Sequence, residues 1–133
     1  MKNLRYRVFV DGKMKDVQAL FWDKDFSKVT EIRIFDDSGD VEAVQGDGIP
    51  IMQCTGFQET GSNKLVFQGD IVEVEYQYGT SLCVVEWCDV KYGLILNPVR
   101  GEKPKHKPHF RIPGKRSIMI RGNIYEDARL LDG

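Results

Sequence analysis

Apolar and polar positions along this chain alternate with period two far more often than with period 3.6. From residue 71 to 78, Val72, Val74, Tyr76 and Tyr78 share one side, and Glu73, Glu75 and Gln77 share the other. That is the signature of a half-buried strand. Gly79-Thr80-Ser81 then supplies a turn, and "LCVVEW" resumes the alternation, with Cys83, Val85 and Trp87 opposite Leu82, Val84 and Glu86. Two β-rich runs joined by a short glycine-containing link predict a hairpin. "YGLILNP" predicts a further strand, which Asn97-Pro98 should end. In the front third, "LRYRVFV" and "KDVQALFW" flank the turn dipeptide Asp11-Gly12, and "EIRIFD" and "VEAVQ" flank "DDSGD". No helical pattern exceeds about ten residues; short helical turns are expected only at 23–28 and 126–131.

The stretch "IMQCTGFQETGSNKLVFQGDIVEVEY", residues 51 to 76, has two apolar runs separated by glycines. Gly56, Gly61 and Gly69 are expected to make corners, because glycine tolerates positive φ. Ile51, Phe57, Leu65, Phe67, Val72 and Val74 are expected to build core. A meander of about five short strands from residue 50 onward has the order and spacing of an SH3-like small barrel. The fold expected is therefore all-β: one domain over residues 1–133, made of an N-terminal β-hairpin region (1–48) packed on a small barrel (49–133).

Composition changes this picture little. The 133 residues suffice to bury roughly two thirds of the unfolded surface. No apolar run approaches the ~20 residues of a membrane-spanning helix. Val8-Phe9-Val10 is too short for a signal-peptide core, so a cytoplasmic location without membrane association is expected. Cys54, Cys83 and Cys88 are odd in number and lack paired short spacings, which fits buried thiols better than zinc. No metal or other cofactor is expected.

Charge is unevenly spread. Net charge is −1, yet residues 100 to 116 hold seven Lys or Arg and a single acid, and the remainder is correspondingly acidic. Pro98, Pro104, Pro108 and Pro113 keep this segment out of a sheet interior and predict a long loop over 97–116. Arg100, Lys103, Lys105, Lys107, Phe110, Arg111, Lys115 and Arg116 are candidate nucleic-acid contacts, the cations for phosphates and the aromatic for a base. His106 and His109 lie in the same loop, without the rigid frame a general base needs.

Two motifs carry a family resemblance. Met52, Gln53, Thr55, Gly56, Gly69, Asp70, Ile71 and Val72 fit a Met-Gln-x-Thr-Gly core and a Gly-Asp-Ile-Val strand entry. Gly122, Asn123, Ile124, Tyr125, Glu126 and Leu130 fit a closing Ile-Gly-Asn-Ile-Tyr-Glu segment. In these the chain resembles the YopX family of phage and prophage proteins over nearly its whole length. Phe57, Cys54 and the Asp127-Ala128-Arg129 triplet depart from the family pattern. The resemblance implies a mostly β protein from phage or integrated phage DNA, acting inside a bacterial host, and implies no activity.

Other chemistry is thinly represented. No phosphate-binding glycine loop, dinucleotide fingerprint or metalloprotease motif is present. "DDSGD" lacks calcium-loop spacing and reads as a turn. Asp70 and Glu73 fall on opposite strand faces, so Asp70 is expected to cap a turn and Glu73 to be solvated. Asn123 is expected to bond loop backbone. The chain is thus read as non-enzymatic, an interaction or assembly module binding a host or phage protein or a second copy of itself. The alternative is a nucleic-acid-binding accessory protein that uses the basic loop.

Overall fold

The structure, a computed structural model, describes residues 5–76, 79–88, 93–101 and 115–132. The chain divides into two compact units, residues 1–53 and 54–133. Every strand pairing is antiparallel.

In the first unit, β1 (Tyr6–Val10), β2 (Lys13–Trp22), β3 (Val29–Phe35), β4 (Val41–Gln45) and the start of β5 (Ile51–Gln58) pair in the order β4-β3-β2-β1-β5. Turn chemistry sets each reversal. Asp11 and Gly12 both adopt positive φ, 52° and 74°, as a two-residue hairpin turn requires. At the β3–β4 turn the Asp36 carboxylate accepts from Ser38 N–H at 2.9 Å and from Asp40 N–H at 3.0 Å. An aspartate that satisfies its own turn in this way accounts for "DDSGD". Val8, Ile32 and Ile34 are fully buried, with Leu20, Val44, Ile49 and Ile51 packed around them.

In the second unit, the remainder of β5 pairs with β6 (Leu65–Phe67), Cys54 opposite Phe67 and Gln58 opposite Leu65. A four-stranded sheet follows in the order β10-β7-β8-β9, from β7 (Asp70–Tyr76), β8 (Gly79–Cys88), β9 (Gly93–Gly101) and β10 (Lys115–Asn123). Val72, Val74 and Tyr76 of β7, Cys83 and Val85 of β8, Leu96 of β9 and Ile118 of β10 meet in one cluster with Val66. Phe57, Leu94 and Ile120 pack against it while partly exposed.

Within β7 the period-two reading holds: Val72, Val74 and Tyr76 are buried and Glu75 is exposed, while Gln77 and Tyr78 lie outside the described residues. Gly79, Thr80 and Ser81, expected as the turn, are instead the first residues of β8, paired with Tyr76, Glu75 and Val74. Trp87 departs from the pattern, being 48% exposed although it shares the parity of Cys83 and Val85. It stands near the end of β8, opposite Leu94 of β9. Ile51 packs in the first unit's core, apart from the other residues of its stretch. Residues 23–28 form a non-helical turn, whereas Ala128–Leu131 is a single 3-10 turn.

Strand β9 also corrects the expected boundary at Asn97-Pro98. It continues to Gly101, with Pro98 opposite Cys83 and a register shift just beyond. Proline is tolerated there because β9 is the sheet's outer strand, so the missing N–H breaks no inner ladder. Strand β10 begins at Lys115, so both ends of the expected 97–116 loop are strand.

The Leu96 side chain is wholly buried in the second cluster. Leu96→Ala should lower unfolding free energy by about 2–5 kcal/mol, measured by urea titration, because transfer energy is lost and a cavity remains.

Candidate functional site

Of the family-motif residues, Gly69, Asp70, Ile71, Gly122, Asn123 and Ile124 come together at one corner of the second unit, whereas Met52 and Gln53 pair with β1 in the first. Gly69 has φ 89°, a conformation that admits glycine with little strain. Its N–H donates to the Val85 carbonyl at 2.7 Å, and its own carbonyl accepts from Ile124 N–H at 2.9 Å. Asp70 is buried, and its carboxylate accepts from Phe67 N–H at 2.8 Å. Asp70 also sits opposite Asn123 in the β7–β10 ladder.

Asn123 continues the corner. Its side-chain oxygen accepts from the backbone of Tyr125 at 3.0 Å and of Glu126 at 2.9 Å, while its amide donates to the Glu126 carboxylate at 2.8 Å. Asp127 reaches back to accept from Asn123 N–H at 3.1 Å. A β-carbon on residue 122 would lie 2.5 Å from that Asp127 carboxylate, so glycine is required by close approach. Tyr125 is 36% exposed at the rim of this turn.

Thr55 and Gly56 shape the entry of the hairpin formed by β5 and β6. The Thr55 hydroxyl donates to the Val66 carbonyl at 2.8 Å and accepts from Phe57 N–H at 3.1 Å, in place of regular ladder bonds. Gly56, at φ 82°, makes the bend where the β5–β6 register shifts. The tip of this hairpin then bonds the outer edge of β10. Thr60 N–H donates to Ile118 O at 2.9 Å, the Thr60 hydroxyl accepts from Ile118 N–H at 2.9 Å, and the Glu59 carboxylate accepts from Ile120 N–H at 2.7 Å. The bond from Ile120 holds the Glu59 carboxyl below its ordinary pKa. These contacts cover a strand edge that would otherwise expose its donors and acceptors.

A shallow groove of about 220 Å³ is lined by Glu73, Thr80, Leu82, Arg100 and Gly101. It is smaller than the ~300 Å³ at which small-molecule sites usually begin. Its charged groups are engaged with their own chain. Glu73 pairs with Arg121. The Arg100 guanidinium donates to the carbonyls of Leu130 at 2.7 Å and Asp132 at 2.6 Å, fastening the terminal segment.

The first unit presents a different surface. Phe21, Trp22 and Phe26 are 40%, 49% and 77% exposed at the β2–β3 reversal, and Phe35 and Val41 are exposed farther along the sheet. Arg33 lies over the Phe21 ring at 4.6 Å and pairs with Glu31 at 3.2 Å. Phe26 has φ 55°, unusual for a bulky side chain. The turn that imposes it is well bonded: Asp23 N–H donates to Lys28 O at 3.0 Å, and Phe26 N–H donates to Asp23 O at 3.2 Å. The Asp23 carboxylate also accepts from Ser27 N–H at 2.8 Å and from the Ser27 hydroxyl at 2.6 Å.

The candidate nucleic-acid residues fare unevenly. Arg100 is bound to the terminal carbonyls, and Lys115 and Arg116 belong to β10. Lys103, Lys105, Lys107, Phe110 and Arg111, with His106 and His109, lie outside the described residues. The motif residues Thr55, Gly56, Gly69, Asp70, Gly122 and Asn123 converge on the corner and its hairpin. Three features escaped the sequence reading: Glu59 and Thr60 as clasps on β10, Arg100 as an anchor, and the aromatic turn around Phe26. Only the last had a local signal, the dense aromatics of "LFWDKDF".

Fold and corner together define an all-β protein whose distinctive glycines, Asp70 and Asn123 are spent on joining strands. The chain belongs to the YopX protein family, whose model matches residues 5–132. No curated protein and no solved structure matches it.

Two measurements test this account. Because the folded Glu59 pKa is lowered, its stabilisation is present above its ordinary value of 4.5 and is lost as pH falls through the folded value. Glu59→Gln should therefore flatten the decline of stability below pH 4.5 in acid-titrated thermal melts. Burial pushes the Cys83 thiol up to about 12, whereas Cys54 and Cys88 are half-buried. Iodoacetamide at pH 8 should label at most two thiols in the native protein, and the third only after unfolding, as read by mass spectrometry.

Proposed function

We propose that this YopX-family protein is a non-catalytic interaction or assembly module of phage or prophage origin that acts in the bacterial cytoplasm. The observation that carries the reading is Phe26, a bulky aromatic held at positive φ by a bonded turn and left 77% exposed. Strain of this kind persists only where surrounding contacts impose it, and it concentrates at functional positions. Trp22 and Phe21 extend the apolar surface, and aromatic anchors of this type dominate the energetics of protein interfaces.

We read the second unit as an SH3-like small barrel, supported by the Glu59 and Thr60 bonds that carry the β5–β6 hairpin onto the outer edge of β10. In the same reading the two units form one YopX-like domain, since the family match runs through both. Nucleic-acid binding through the basic segment is the second reading. Its support is the concentration of seven Lys or Arg within residues 100–116.

A photo-crosslinking residue at position 26, introduced in bacterial cells expressing the protein, should yield a discrete protein adduct. That adduct should be lost when Trp22 and Phe21 are replaced by Ser. The absence of any discrete adduct would count against the aromatic turn as an interface. For the second reading, labelled single- and double-stranded DNA and RNA should be titrated at two salt concentrations. Micromolar binding that weakens with salt, and disappears when Lys103, Lys105, Lys107, Lys115 and Arg116 are changed to Gln, would install nucleic acid as the ligand.

A further inference from the structure

Strand edges in this protein differ sharply in how they are protected. In the second unit, β10 is clasped by Glu59 and Thr60, and β9 carries Pro98 with a register shift beside it. β6 has only three residues. Proline, irregularity, shortness and coverage are the usual means of blocking edge-to-edge pairing. Strand β4, "VEAVQ", ends the first unit's sheet with none of them among the described residues. Its residues Val41, Glu42, Ala43 and Gln45 are exposed, and it pairs only with β3 among the described strands.

Ladder parity shows which groups this edge offers. Gly46 N–H donates to Thr30 O at 3.0 Å and Asp36 N–H to Asp40 O at 2.8 Å, at the two ends of the β3–β4 ladder. With Arg33 opposite Ala43, the bonded pairs between those ends are Ile32 with Val44 and Ile34 with Glu42. Val41, Ala43 and Gln45 therefore turn their N–H and C=O groups away from β3, toward the open side.

We propose that this edge pairs with the same edge of a second copy, antiparallel about a two-fold axis through Ala43. The proposal deepens the interaction reading and rests on it. In this register Ala43 meets Ala43, and Val41 meets Gln45 in both directions, which allows about six main-chain hydrogen bonds. Glu42, the strand's one charged residue, faces Val44 of the other copy, so no like charges stand directly opposed. Sliding the register by one bonded pair toward Val41 would set Glu42 against Glu42, a repulsion that disfavours it. Sliding it the other way sets Val44 against Val44 and leaves Val41 without a partner in the strand, so charge disfavours one shift and the bond count the other.

A second copy fits better than an unrelated strand because one self-complementary segment supplies both sides of a two-fold interface, the commonest form of protein assembly. Two five-residue strands bury less than the ~1,200 Å² of a stable complex, so the dimer is weak and forms as concentration rises.

Sedimentation equilibrium of the purified full chain over a concentration series tests this. The expected result is a weight-average mass that climbs from monomer toward dimer. Ala43→Pro removes an outward N–H and no internal ladder bond, and should abolish the climb. Ala43→Lys keeps the backbone intact but sets two cations face to face, and should weaken dimerisation at least tenfold at low salt. Thermal melts check that each variant remains folded; if the proline variant does not, the lysine variant decides. A wild-type chain that stays monomeric throughout, or a dimer that both variants leave unchanged, would overturn the proposal. Either result would leave an adduct at position 26 with a different protein standing, so the two readings fail separately.

Discussion

One buried peptide corner, Gly69-Asp70, holds the second unit together. Its backbone reaches β8 through Val85 and the terminal segment through Ile124, and its carboxylate reaches back to Phe67. A buried carboxylate is costly unless hydrogen bonds compensate it, and here the Phe67 N–H supplies one. Once the corner is made, β7 must leave it in one direction, with Val72, Val74 and Tyr76 facing the cluster. Asn123, opposite Asp70, performs the same service for the chain's last turn.

The remaining fastenings follow from that geometry. Strand β10 is bonded on one side by β7 and on the other by the hairpin tip at Glu59 and Thr60. Arg100, at the end of β9, fastens the carbonyls that the terminal 3-10 turn leaves over. The groups that look chemically available in the sequence, a carboxylate here and a guanidinium there, are thus largely committed to backbone. Such commitment stiffens a small β unit whose core consists mostly of Val and Ile.

The first unit is organised by different means. Its β2–β3 and β3–β4 turns are each bonded by their own Asp, and its core of Val8, Ile32 and Ile34 lies on one face of the sheet. The opposite face and the β2–β3 reversal keep aromatic side chains in solvent. An amphipathic sheet needs a cover on only one side to be stable, so the second side is free to carry recognition. Both proposed contacts, the aromatic turn and the β4 edge, lie on this unit.

The sequence by itself determined the all-β class, the hairpins at Asp11-Gly12 and Asp36–Asp40, the inward row of β7 and the glycines at the corners. Each of these depends on neighbours within a few residues, through the two-residue period of a strand or the φ preferences of a turn. Tertiary structure decided the rest. Glu59 meets Ile120 across 61 residues, and Arg100 meets Leu130 across 30. Neither pairing leaves a local pattern, because side-chain bonds to backbone place no demand on the identity of the accepting residue. Pro98 lies within a strand because β9 is at the sheet's edge, and Trp87 is exposed near the end of β8 against the parity of its strand. Strand order and side-chain exposure are properties of the assembled sheet.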